Sequence, residues 1–267
     1  MMKRLLLILL MCMPCWSAND FSADPNVVAL WTFEEGSGTT PYVDHSANSN
    51  TLNGNIVRNT TSYHEGTTSN HNTSLSYSLY RTDATLSADF PGKDGTTNRT
   101  FSFAAWVRPT TLYDYNYVMA KWSTSNGRQY NIIVYDVTGT QRFRAVTGYN
   151  SGANAEGVDH LTVAVGTNKW YHVTMTYDSS TKGVKIRVYD EDATTASEST
   201  ATLSNEMTIA ATTFTLCNVN YIATYGMVGQ IDEAVMFNDV LTSDEIDQIR
   251  SGTYGGGGQV MPVLFED

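Results

Sequence analysis

Residues 171–190 read YHVTMTYDSSTKGVKIRVYD, and this stretch decides the fold class. Tyr171, Val173, Met175 and Tyr177 alternate with His172, Thr174 and Thr176. Val184, Ile186 and Val188 then alternate with Lys185, Arg187 and Tyr189. Successive side chains of a strand point to opposite faces, so a period of two with one apolar face predicts a half-buried antiparallel strand. The intervening DSSTKG supplies the short polar residues and the glycine that a turn uses. The same alternation recurs at 101–108, FSFAAWVR, and around Phe143 and Ala145. Further strand candidates run over 27–33, 75–80, 118–122, 130–136, 214–219 and 230–237. Some ten or more short strands with no helix between them predict an all-β chain. Its architecture is a two-sheet antiparallel β-sandwich, or jelly roll.

One helix is expected, near the end. Thr242 can cap it, and Glu245 three residues on completes a capping box. Leu241 and Ile246 flank the cap as an apolar staple, Arg250 suits the negative end, and Gly252 can close it. The tail over 253–267 holds four consecutive glycines at 255–258, which predicts a flexible tether. No domain boundary or internal repeat is visible between 24 and 252, so one sandwich domain is expected there.

The first eighteen residues read differently. Lys3 and Arg4, then an apolar run from Leu5 to Met13, then Ser17 and Ala18 form the three-part pattern of a secretory signal peptide. The run is too short to span a membrane, so a secreted, extracellular or cell-surface protein is expected. Cys12 and Cys15 would leave with it, and of the three cysteines only Cys217 remains, which excludes a disulfide framework. The net charge of −11 becomes more negative still without Lys3 and Arg4, and such a chain repels nucleic-acid phosphates.

Four motifs in order carry a family resemblance. They are ALWTFEEGSGTTPYVDHSANSNTLNGNIV (29–57), FSFAAWVRPTTL (101–112), KWYHVTMTYD with GVKIRVYD (169–178 and 183–190), and GQIDEAVMFNDVLTSDEIDQI (229–249). The chain resembles the LamG-like jelly-roll domains of the concanavalin A-like lectin/glucanase superfamily over roughly Val27 to Gly252. That resemblance implies the sandwich fold. It implies no single activity, because one sandwich hosts binding, catalytic and linking functions.

Candidate sites follow. Retaining hydrolases of the superfamily resemble one another in a Glu-x-Asp-x-x-Glu strand, whose spacing puts the acidic pair on one face. No such string occurs, the five histidines lack ligand spacing, and there is no Gly-x-Ser-x-Gly elbow. A chain that is not an enzyme is therefore expected, with a lyase or glycosidase of unrecognised site as one alternative. Cys217 reads as a buried small hydrophobe. For metal, Asp44 and Asn48 lie in a tight turn, and Asp232 sits among apolar neighbours, sharing a face of its strand with Ala234 and Met236. The resemblance implies that Asp44 and Asp232 meet around a structural calcium, with Asn48 and Glu34 assisting. Asx-turns at Asp44 and Asn48, and backbone N–H donors to Asp232, are the competing account. His45 departs from the small residue of many relatives.

For ligand, the segment LYDYNYVMAKW (112–122) places Tyr113, Tyr115 and Asn116 where a sugar platform could form, with Tyr149 and Tyr225 as further loop-edge aromatics. The competing account turns Tyr117 and Trp122 to the core and leaves only Tyr113 and Tyr115 wet. Tyr221 belongs to the same group of aromatics. Together these features predict a secreted carbohydrate-binding module, with an adhesive module meeting a cell-surface protein as another alternative.

Overall fold

The structure, a computed structural model, describes residues 19–255 apart from 37, 39–40, 125–126 and 220–223. The expected signal segment 1–18, Tyr221 and most of the glycine tail lie outside the described residues.

Fifteen strands, one α-helix and one 3-10 turn (Asp83–Thr85) are described. In the first half, β1 (Val27–Trp31), β2 (Asn53–Gly54), β3 (Val57–Asn59), β4 (Ser69–Asn72) and β5 (Leu79–Arg81) are short, and β6 (Phe101–Thr111) and β7 (Tyr115–Lys121) are longer. Then come β8 (Tyr130–Val137), β9 (Thr140–Tyr149), β10 (Asn154–Asp159), β11 (Tyr171–Asp178) and β12 (Gly183–Asp190). The chain closes with β13 (Thr195–Thr202), β14 (Phe214–Leu216), β15 (Val228–Phe237) and α1 (Ser243–Arg250). One sheet has the order β13-β12-β11-β6-β15-β4-β3, with β1 paired to β15; the other has the order β10-β9-β8-β7-β14-β5-β2. Every strand pair is antiparallel, and the predicted sandwich is what forms.

The alternation of 171–190 does what it promised. Tyr171 pairs with Asp190 and Asp178 with Gly183, and Tyr171, Val173, Met175, Val184, Ile186 and Val188 all enter the main core between the sheets. Trp31 stacks on Phe214 there at 5.6 Å, which joins the two sheets through their largest side chains. Cys217 is a free, buried thiol.

The helix caps as the letters predict: the Thr242 side chain accepts from the Glu245 N–H, and the Glu245 side chain accepts from the Thr242 N–H. Its apolar face, Ile246 and Ile249 with Leu241, covers Ala104, Val235 and Phe237 on the outer side of the first sheet. No described helix is long and apolar enough to cross a membrane.

One strand departs from its pattern. β15 carries an irregularity between Asp232 and Val235, and Glu233 sits at φ 47°. The extra residue shifts the alternation. Ile231, Ala234 and Met236 face the main core, Val235 and Phe237 face the helix, and Asp232 pairs opposite Trp106. The expectation that Asp232 shares a face with Ala234 and Met236 is thereby corrected.

Candidate functional site

Three groups of side chains compete for a functional role, one on the outer face of each sheet and one at a turn between them. The outer face of the second sheet is the open one. There Tyr115 lies parallel to Tyr135 across the β7–β8 pair at 6.4 Å and leans on Tyr225 at 5.0 Å, while Tyr225 also stacks on Tyr117 at 6.3 Å. Tyr113 and Tyr115 are each 40% exposed, as the sequence suggested they should be. Arg144 on the neighbouring strand reaches over the Tyr135 ring, 5.4 Å from its centre. The Tyr135 hydroxyl donates to Asp159 at 2.8 Å, and Arg144 in turn donates to that hydroxyl at 3.2 Å. The result is a row of rings with one cation and one carboxylate at its end, which is the mixture of flat apolar area and polar handles that recognition surfaces use. Beneath it, Tyr117, Trp122, Ile133, Val146 and Val219 form a small apolar cluster that holds the row rigid.

Two of the predicted ligand residues do not join it. Asn116 is fully buried, because strand alternation turns it away from the face that Tyr115 and Tyr117 occupy. Its amide instead staples the turn, accepting from the Tyr113 N–H at 2.9 Å and donating to the carbonyls of Tyr113 and Val134. Tyr149 stands at the far end of β9, paired with Asn154, whereas Tyr135 pairs with Arg142 near that strand's start. Tyr135, Arg144 and Asp159 are members that sequence reading missed. The signal was available: Tyr135 and Arg144 are the polar or amphipathic positions that alternate with Val134, Phe143 and Ala145.

The predicted metal residues are placed in two separate hydrogen-bonded sets. The Asp44 carboxylate accepts from the N–H groups of Leu30 (2.9 Å), Ser46 (2.8 Å) and Asn50 (2.5 Å), and from the Ser46 hydroxyl. Asn48 donates to the Val27 carbonyl. These bonds fold the 44–50 turn against β1 and satisfy Asp44 without a cation. Asp232 accepts from the N–H groups of His64, Glu65 and Glu233, and Glu34 accepts from Thr67 and Thr68. Among the described residues no three His, Cys, Asp or Glu side chains are arranged to hold a metal ion. Burial and the negative charges of Asp232, Glu65 and Glu34 push the Glu233 carboxyl well above its ordinary range. Burial does the same to Asp232, helped by Glu34. No described donor bonds the Glu233 carboxylate. Carboxylate oxygens are the hard donors that calcium takes, but these are not brought together as a ligand set, and Asp44 and Asn48 belong to the separate 44–50 turn.

The third group covers the outer face of the first sheet. The His64 ring stacks on Trp106 with centres 3.4 Å apart and meets Trp170 edge-on at 5.6 Å. His172 and Tyr189 contact Trp106 edge-on, and Arg250 from the helix lies over Tyr189. Nε2 of His64 is 3.3 Å from a Glu191 oxygen, while its buried Nδ1 makes no hydrogen bond and lies 3.9 Å from a Glu65 oxygen. Burial holds His64 down at about 4 and His172 at about 3, so both imidazoles are neutral at neutral pH. Their spacing in sequence gave no hint of this meeting.

A sequence profile of the Concanavalin A-like lectin/glucanases superfamily, Laminin_G_3, matches residues 82–247. The chain belongs to that superfamily. No curated protein matches this member in sequence. Among solved structures it is similar to domain 4 of AbnA, a GH43 extracellular arabinanase from Geobacillus stearothermophilus in complex with arabinotriose. That likeness is 16% identical and covers 84% of this chain and 98% of that one, with a TM-score of 0.54. It is also similar to the enzymatically active domain of bacteriophage CBA120 tailspike protein 2 (13% identity, 91% of this chain and 32% of that one, TM-score 0.53). Trypanosoma rangeli sialidase in complex with sialic acid is a third (12%, 83% and 32%, TM-score 0.50). This superfamily member spans about a third of the tailspike and sialidase chains. At these identities the likeness is one of fold. It corrects the expectation of a chain that is not an enzyme: the fold recurs within an arabinanase, a sialidase and an enzymatically active tailspike domain, so the lack of a short catalytic motif cannot decide the matter.

Proposed function

We propose that this chain is a secreted carbohydrate-binding sandwich that takes glycan on the tyrosine row of its second sheet. The single observation that carries the reading is the row of mutually supported, partly exposed rings Tyr115, Tyr135 and Tyr225, with exposed Tyr113 beside it and Arg144 and Asp159 at its end. Rings held by their neighbours lose little freedom when a sugar ring stacks on them, which favours binding. The signal-like leader supports secretion, and the carbohydrates in the names of the arabinanase and sialidase structures agree with the ligand class.

The test is a glycan array followed by titration with the double change Tyr113→Ala and Tyr115→Ala. By analogy with base stacking, each lost ring costs about 1–3 kcal/mol, so affinity should drop at least five-fold. The melting temperature should stay nearly unchanged. Unaltered affinity in a folded variant would move the site off this row.

Calcium enters only as a proposal of the same kind. The family resemblance carries it, with Glu34 and Asp232 among the oxygen donors it implies; among the described residues no three acidic side chains are arranged to hold the ion. A chelator should then lower the melting temperature, because a ligand bound only by the folded state stabilises it by mass action. Superimposable melts of calcium-loaded and chelated protein would remove calcium from the reading.

A further inference from the structure

On the same outer face as the tyrosine row, but at the opposite edge of the sheet, β2 and β5 line an open cleft of about 470 Å³. It is lined by Asn53, Gly54, Asn55, Ser76, Ser78 and Tyr80. Tyr80 pairs with Asn53 on one side and with Thr215 on the other, so its ring stands on the outward row that continues through Ala120 of β7. The ring is 40% exposed. Gly54 fixes how closely β2 approaches: a Cβ there would lie 2.2 Å from the Ser78 carbonyl oxygen, so only glycine lets the two asparagines close on Tyr80. The Asn55 amide oxygen accepts from the Ser78 N–H at 3.3 Å, and no described partner takes its amide N–H groups. No described partner bonds the Asn53 amide, the Ser78 hydroxyl or the Tyr80 hydroxyl. The lining therefore offers one exposed ring, two amides and hydroxyls, with no charged side chain among them. The adjacent cation, Arg81, is held by the carbonyls of Thr51 and Thr85.

We infer that this cleft is a second sugar site, selective for a neutral sugar unit. The inference rests on the carbohydrate reading above and adds a place and a class to it. A ring face stacks on Tyr80, and the sugar hydroxyls meet amide and hydroxyl groups that can both donate and accept. A uronate or sialate carboxylate finds no cation there, and it also meets a chain of net charge −11.

The experiment uses neutral xylo-, cello- and arabino-oligosaccharides, with oligogalacturonate as the acidic probe. Each is titrated onto the wild-type chain, Tyr80→Ala, the Tyr113→Ala/Tyr115→Ala double variant and the triple variant. The double variant should keep weak binding of a neutral oligosaccharide, and the triple variant should lose a further five- to hundred-fold. Asn53→Ala, which breaks no bond within the protein, should weaken the same residual binding. If the double variant retains no neutral sugar while the wild type binds one, the cleft is not a site and the tyrosine row stands alone. If residual binding depends on Tyr80 but the double change costs nothing, the cleft stands and the row falls. Oligogalacturonate binding that requires Tyr80 would overturn the neutral class, and no binding by any variant would overturn both sites.

Discussion

The two sheets begin from the same alternation and finish with opposite outer faces. On the first sheet, Trp106, His172 and Tyr189 point outward and are then covered by His64 and by Arg250 of the helix, which leaves Trp106 and His172 buried and Tyr189 half-buried. On the second, Tyr113, Tyr115 and Tyr80 point outward and stay exposed. A polar-looking outward residue therefore means different things on the two faces. What separates them is whether a later segment folds over the sheet, and in this chain the 60–68 loop and the C-terminal helix both choose the first. Burial there uses aromatic area for stability, while the uncovered face keeps the same residue types for contact with something else.

The largest effect should come from cutting into the covered face. Trp106→Ala removes a ring that His64, His172 and Tyr189 all contact, and a buried tryptophan lost this way costs about 3–5 kcal/mol. Tyr115→Ala on the open face should stay within about 0.5 kcal/mol of wild type, as surface changes usually do. Urea unfolding of both variants measures the contrast. Equal losses would mean that the two faces do not differ in the way described.

A second, smaller effect sharpens the contrast through pH. Burial first, then the positive charges of Arg250 and Arg187 and the neighbouring His64, hold His172 near 3. Its unfolded value is about 6.5, so protonation favours the unfolded chain. The contribution of neutral His172 is complete above pH 6.5 and is lost as pH falls towards 3. Between pH 7 and pH 4.5 this amounts to about 2–3 kcal/mol. Asp232 and Glu233 act in the other direction, since raised carboxyl values favour the folded state as pH falls. The comparison that isolates the histidine is wild type against His172→Gln, each unfolded at both pH values. The variant should lose less stability on acidification, and parallel losses would mean that His172 does not titrate this way.

Much of this was legible from local letters. The strands around 101–108, 130–136 and 171–190 show their period, and the capping box needs only residues 242 and 245. Asn116 was misjudged although the alternation of Tyr115, Asn116 and Tyr117 already turns it inward. Other features are not local. The irregularity at Glu233 inverts the face of Asp232 within a run that reads as unbroken, and nothing in GQIDEAVMF marks it. β13, with the sequence TASESTAT, has no apolar face to announce itself and forms because β12 offers it an edge. The meetings of Tyr135 with Arg144, and of His64 with Trp106 and Glu191, depend on sheet order, which a single sequence does not state.

The smallest expected effect lies at the lid of the covered face. The Thr242 hydroxyl accepts from the Glu245 N–H at 3.3 Å and donates to the Glu245 carboxylate at 2.8 Å, and that carboxylate accepts from the Thr242 N–H at 2.7 Å. These bonds satisfy donors that a helix start otherwise leaves open, and Asp244 and Glu245 also suit its positive end. The helix is only eight residues long, too short to persist alone, so its cap and its buried Leu241, Ile246 and Ile249 act together. Thr242→Ala should cost about 1 kcal/mol, and Thr242→Ser should cost much less because a hydroxyl cap is kept. Thermal melts of the two variants separate the contributions. If alanine and serine are equally tolerated, the helix is held over Ala104, Val235 and Phe237 by apolar packing alone, and the face stays covered without its cap.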